Sequence, residues 1–189
     1  MKIRRGGAIA VTVFLAGCSF LKRPDNQFYS LDTIPSQGAP RQLSGAPVGI
    51  DGIELPPGLD RRGIVLRGAD HRFEVRGTHQ WAASLEEMVN HTLAFDLANR
   101  LPDGMVVLPG QAKPIAPMRS IYLVFEDLAP GPDGVFVLDT RWTVREPARA
   151  ERTRHERITV QMPSMESPQI ATAMSEAVAE LADRIAAGL

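Results

Sequence analysis

The sequence predicts an α+β domain: a single domain with a mainly antiparallel sheet and two long helices packed on one face. Three observations predict it. Apolar residues recur at three- and four-residue spacing in two stretches, 81–101 and 170–185, which stacks them on one side of a helix. Short runs rich in β-branched and aromatic residues lie before and between these stretches. Clusters of proline and glycine separate the runs, so strands precede and divide the helices rather than alternating regularly with them.

The N-terminus belongs to another kind of segment. Lys2, Arg4 and Arg5 come before an apolar run that ends Leu15-Ala16-Gly17-Cys18. A cationic stretch, an apolar run and small residues are the layout of an export signal. The run of about ten residues is short of the about 20 that a membrane-spanning helix needs. Leu15, Ala16, Gly17 and Cys18 match the lipobox of bacterial lipoproteins, with Cys18 as the lipidated first residue after cleavage. Cys18 is also the only cysteine, so no disulfide framework is available. The expected division is a signal peptide over 1–17, a lipidated tether over 18–47, and a folded domain over 48–189, joined by a strand near 27–32. No cofactor is expected beyond the covalent diacylglycerol and N-acyl chain on Cys18. Ser19 stands where an aspartate retains many lipoproteins in the inner membrane, which directs the expectation to the periplasmic face of the outer membrane.

Removal of residues 1–17 leaves 172 residues, and the loss of three basic residues moves the net charge from −1 to −4. That length suffices for one real core. A mildly acidic domain lacks the basic surface that phosphate contacts require, so nucleic acid is not an expected partner.

In order along the chain, Phe20 to Pro47 is rich in proline, glycine and polar residues, which suits an extended tether. Gln27–Asp32 interrupts it with an alternation fit for a first strand. Val48–Leu55 reads as a strand ended by Pro56-Pro57-Gly58, and Gly63–Arg67 with His71–Val75 as a pair joined by the turn at Gly68-Ala69-Asp70. The first helix carries Trp81, Leu85, Met88, Val89, Leu93 and Leu97 on one face. Ser84 and Glu87 form a capping-box pattern at its start, and Pro102 stops it. Met105–Leu108 is a short strand. Ile121–Glu126 and Val135–Val144 flank Pro130–Gly134 as an antiparallel hairpin, and His155–Met162 extends it. Ser167-Pro168 supplies an N-cap and first-turn proline for the closing helix.

Chemistry-bearing patterns are absent from the sequence. His71, His79, His91 and His155 show no HExxH motif and no close His–carboxylate metal spacing, so no metal is expected. There is no GxSxG elbow and no phosphate-cradling glycine loop. Ser19 and Lys22 match an SxxK pattern by letters alone, in the tether, where no pocket surrounds them. No catalytic residues are assigned. The recognition candidates are the loop residues Pro56, Pro57, Leu59, Asp60, Arg61 and Arg62, together with Trp81. Prolines lower the ordering cost of binding, and arginines make strong interfacial contacts. The competing reading of the loop is a plain rigid connection, and that of Trp81 a core anchor at the start of the helix.

The order of these pieces resembles the ABC-type transport auxiliary lipoproteins, which include the paraquat-inducible lipoprotein C group. The resemblance rests on Leu15–Cys18, Phe28-Tyr29-Ser30-Leu31, the stretch Leu55–Arg67, Trp81-Ala82 with Leu85, the hairpin from Phe125 to Trp142, and Leu181–Ile185. It implies a non-enzymatic, lipid-anchored subunit of an intermembrane lipid transport system. Its partner would be a protein carrying mammalian-cell-entry (MCE) domains, with self-association into a homo-oligomer. Pro57-Gly58 departs from the bulkier residue expected before the Leu-Asp pair. Two other functions compete with docking. A lipid carrier requires an enclosed apolar cavity of roughly 300 Å3 or more, and an envelope hydrolase requires a cleft with convergent acid and base groups.

Overall fold

The structure is a computed structural model that describes residues 25–70, 72–115 and 117–189. The expected signal peptide and the expected lipobox residues Leu15, Ala16, Gly17 and Cys18 lie outside the described residues. In chain order the elements are β1 (Gln27–Tyr29), β2 (Val48–Glu54), β3 (Gly63–Arg67), β4 (Phe73–Trp81), α1 (Leu85–Ala98), β5 (Val106–Val107), β6 (Arg119–Pro130), β7 (Val135–Arg145), β8 (Arg152–Gln161) and α2 (Ser167–Gly188).

Period-two alternation builds the larger sheet. Ile121, Leu123 and Phe125 of β6, Phe136, Leu138, Trp142 and Val144 of β7, and Ile158 of β8 are buried on one face, while Val124, Glu126, Arg141 and Arg145 point to solvent on the other. The order is β5-β2-β6-β7-β8, and β6, β7 and β8 form an antiparallel meander. Both helices cover the buried face, α1 over β2 and β5 and α2 over β7 and β8, and they pack against each other. Buried alanines at 171, 173, 177 and 182 flank the larger side chains of α2 and add little bulk where the helix meets its neighbours.

The strands divide into two sheets. β1, β4 and β3 form a smaller one at the end of the molecule where β6 reaches Pro130. The sheets are mixed: the longest ladders, β6 with β7 and β7 with β8, are antiparallel, as is β3 with β4, while β1 with β4 and β2 with both β5 and β6 are parallel. The β2-to-β6 connection passes through a hairpin and a helix, and a crossover of that kind returns the chain in the same direction.

Local sequence patterns account for most boundaries, and the exceptions have physical reasons. Trp81 ends β4 rather than opening α1, because its N–H donates to the Arg62 carbonyl in a ladder (2.7 Å). Ser84 caps α1 as expected, its hydroxyl accepting from Glu87 N–H at 3.2 Å. β4 runs to nine residues, well past Val75, through polar positions that carry no apolar signal. At α2 the N-cap is Glu166 rather than Ser167. The Ser167 hydroxyl is engaged elsewhere, accepting from Arg76 Nη1 at 2.9 Å.

The expected tether is largely docked rather than free from residue 27 onward. After β1, the Asp32 N–H donates to Ser175 Oγ (3.0 Å) on α2. Ile34 N–H donates to Asp96 Oδ1 (2.7 Å), and Arg100 Nη1 donates back to the Ile34 carbonyl (3.1 Å). Arg41 N–H then donates to the Arg100 carbonyl (2.8 Å). The segment is thus a strap lying across both helices. Among the described residues, no helix is long and apolar enough to cross a membrane.

Candidate docking site

The β2–β3 loop is shaped by its own residues. Pro56 and Pro57 restrict the backbone, and Gly58 takes φ +91°, a conformation that side chains disfavour. The turn closes through Leu59 N–H to the Pro56 carbonyl (3.2 Å), Arg61 N–H to the Leu59 carbonyl (2.8 Å) and Arg61 Nε to the Gly58 carbonyl (3.1 Å). These bonds spread the candidates over different environments. Leu59, 2% exposed, plugs into the core beside Val65, Trp81, Leu85 and Leu128. Its burial holds the loop down by about 1.5–3 kcal/mol. Pro57, Asp60, Arg61 and Arg62 are left on the surface, and Pro56 is half-buried.

Three segments meet beside this loop. The Trp81 N–H bonds the Arg62 carbonyl, and Ala82 N–H bonds the Tyr29 carbonyl at 2.8 Å. β1, the loop and the start of α1 are therefore joined backbone to backbone. Between them lies an open groove of about 450 Å3. Asp60, Arg61 and Arg62 line one side, Phe28 the second, and Ser84 with Glu87 the third. Four sequence candidates are brought together here: Asp60, Arg61, Arg62 and Trp81. Trp81 is 4% exposed, so it serves as the base of the groove and as a core anchor rather than as a free-standing contact. Pro56 and Pro57 shape the loop without lining the groove, and Leu59 is inside.

Phe28 is the residue that sequence reasoning passed over as a recognition candidate. It is 61% exposed and lines the groove through the parallel pairing of Phe28 with Gln80. Its signal was an aromatic in a three-residue strand at the edge of a sheet. Two further exposed apolar residues flank the same loop: Phe73 at 47% and Val75 at 42%. A Cβ at Gly58 would lie 3.5 Å from Phe73, and one at Gly63 would lie 2.7 Å from Val75.

The most polar buried cluster lies elsewhere, under the strap. Arg100, 3% exposed, donates to both Asp183 oxygens (2.8 and 3.0 Å) and to the Asp96 carbonyl (2.9 Å). Burial pushes the Asp96 carboxyl up to about 6, although the Ile34 N–H and the Arg100 charge both oppose this. The second oxygen of Asp96 has no hydrogen-bond partner.

On the outer face of the large sheet, Glu126, Asp139 and His155 bring their ligating atoms within 4.8 Å of one another, a grouping across three strands that no sequence spacing reveals. Arginines already serve it. Asp139 accepts from Arg157 (2.5 Å) and contacts His155 (2.5 Å), and Glu126 pairs with Arg141 (3.0 Å). Burial raises the Asp139 carboxyl, but the bonds from His155 and Arg157 outweigh it and hold it below the usual range. Two guanidinium groups among three ligands repel a cation, so the cluster reads as an ion-pair ladder.

Between α1 and the 107–118 segment runs a second, solvent-open groove of about 490 Å3, bridged by Lys113 and Asp51 (3.2 Å). Within the core beneath Trp81 the free space is about 10 Å3.

Comparison with solved structures places the fold among relatives. An uncharacterised protein of known crystal structure is similar with a TM-score of 0.72 and 16% identity, covering 87% of this chain and 98% of that one. A Xanthomonas campestris protein of the DUF330 family is similar with a TM-score of 0.66 and 11% identity, covering 85% and 92%. At such identities the likeness shows a shared fold. No curated protein sequence is significantly similar. The family model described as ABC-type transport auxiliary lipoprotein component matches residues 29–186, from the last residue of β1 into the last turn of α2. The chain therefore belongs to the ABC-type transport auxiliary lipoprotein component family, a family of membrane-associated lipoproteins that serve an ABC transport system.

Proposed function

We propose that this protein is the docking subunit of an ABC/MCE-type intermembrane lipid transport system. It would be held at the periplasmic face of the outer membrane by diacyl and N-acyl chains on Cys18, and it would act without catalysis. The partner would be the MCE-domain protein, engaged by one copy or a homo-oligomer of this chain. The observation that carries this reading is the groove between Phe28, Asp60–Arg62 and Ser84/Glu87. Its backbone is cross-tied by hydrogen bonds before any partner arrives, which lowers the ordering cost of binding. An exposed aromatic beside two arginines is the composition that protein interfaces favour.

A lipid-carrier role fits less well. The free space beneath Trp81 is about 10 Å3, against the roughly 300 Å3 of the smallest ligand pockets, and the larger spaces, the mostly apolar groove beside α1 included, are open to solvent rather than enclosed.

The test is capture of the native lipoprotein from detergent-solubilised envelopes, with mass spectrometry of proteins and lipids. Recovery of an MCE-domain protein without stoichiometric phospholipid supports docking. Stoichiometric phospholipid without that protein overturns it in favour of the carrier.

A further inference from the structure

We infer that the β3–β4 hairpin end of the domain rests on the bilayer, with Phe73 and Val75 at the headgroup boundary. The inference rests on acylation of Cys18, which is part of the function proposed above.

The first argument is the length of chain between anchor and fold. Gln27, the first residue of β1, is nine positions after Cys18. Fully extended, nine residues span at most roughly 32 Å. β1 pairs with the far half of β4, Gln27 opposite His79, so the anchored chain enters the fold about 4.8 Å from His79 and roughly 20 Å of strand from Phe73. The leash keeps β1 within roughly 32 Å of the bilayer, and the parallel pairing brings the incoming chain from the Phe73 side of β4.

The second argument is what this end exposes. Phe73 and Val75 are two positions apart on β4 and so share one face of the strand. Their sheet partners, Arg67 and Val65, point the same way, but Val65 is buried while Phe73 and Val75 stay open. Apolar and aromatic side chains in this setting favour the interface between headgroups and acyl chains. The charges around them suit phosphate headgroups at the rim. Arg61 and Arg62 are exposed, Arg72 is exposed and paired with Asp70, and Glu74 lies on the opposite face of the strand. Arg76 turns away to bond Ser167 and the Met165 carbonyl.

The third argument is the length of the molecule. β6 has twelve residues, and its Pro130 end borders Leu59 and Trp81. Its Arg119 end meets Glu146, which also pairs with Arg149 in the β7–β8 connection. The two ends are roughly 36 Å apart at strand rise. In this orientation the docking groove opens next to the bilayer, and Arg149 stands in the periplasm.

The test uses the processed, lipidated protein in phosphatidylcholine vesicles, with no partner present. After acylation of Cys18 no other thiol remains, so Val75→Cys and Arg149→Cys can each be labelled with a fluorophore and quenched by headgroup-nitroxide lipid. Circular dichroism checks the fold. Quenching at position 75 should exceed that at 149 by about threefold or more, and Phe73→Ser should roughly halve the quenching at 75. Equal quenching, or stronger quenching at 149, overturns the orientation. Insensitivity to Phe73→Ser overturns the contact. An intact mass without acyl chains removes the anchor on which the inference rests. Loss of partner capture with undiminished quenching would sink the docking reading alone.

Discussion

Arg100, just past the end of α1, grips Asp183 of α2 with two prongs, Nε to Oδ1 at 2.8 Å and Nη2 to Oδ2 at 3.0 Å. The same guanidinium holds the Ile34 carbonyl of the strap at 3.1 Å. One side chain thus joins the two helices to the strap. Arg100→Met keeps the aliphatic stem but leaves Asp96 buried without its neighbouring cation. Asp183 is half exposed and recovers water, so the expected loss is about 2–3 kcal/mol rather than the full cost of a deeply buried pair. Urea unfolding measures it, and proteolysis should open first between Ser30 and Pro47.

Asp96 sets a pH dependence with a definite sign. Its folded carboxyl sits at about 6 against a reference of 3.8, so between these values the native state binds more protons than the unfolded one. Its contribution to stability therefore rises as pH falls from 7 through 6, and levels off below about 4. The span is on the order of 2–3 kcal/mol. Asp96→Asn should remove that rise. The quantity to measure is the difference in urea midpoint between wild type and variant at pH 7 and pH 5. An unchanged difference would refute the assignment.

Leu59 ties the recognition loop to the core. Leu59→Ala should cost about 2–4 kcal/mol, because the surrounding Val65, Trp81, Leu85 and Leu128 belong to separate elements and cannot collapse together. Amide exchange in residues 56–62 should accelerate more than the global loss accounts for.

Arg61 and Arg62 face the groove without supporting the core. Their joint replacement by glutamate should change stability by less than about 0.5 kcal/mol. It should lower recovery of the MCE-domain protein from detergent extracts at least about tenfold, the scale of an interfacial arginine hot spot. Undiminished recovery would remove this loop from the docking surface.

Local signals made much of this fold legible in the sequence. The Ser84–Glu87 cap, the periodic stripe from Leu85 to Leu97, and the turn cluster at Pro130–Gly134 all act within a few residues, and all are realised. What escaped was nonlocal. The parallel pairing of Gln27 with His79 crosses 52 positions and leaves no local pattern. The far half of β4 is polar on both sides of its alternation, so nothing marked it as strand. Asp96 and Arg100 sit four apart near the end of the apolar stripe, where two charges should have signalled a buried ion pair or a crossing segment. At the site, proline and glycine marked the loop, but only pairing across the sheet brings Phe28 to it.

The hydrogen bond from Asp32 to Ser175 spans 143 positions, and it orders events in time. An exported chain emerges N-terminus first, yet its strap has no complete seat until the last helix has arrived. A nascent chain stalled before α2 would present residues 30–47 as an unstructured leash open to proteases. Docking of α2 fastens that segment, so with the acylation proposed for Cys18 the domain would be drawn in toward the membrane only once α2 has folded.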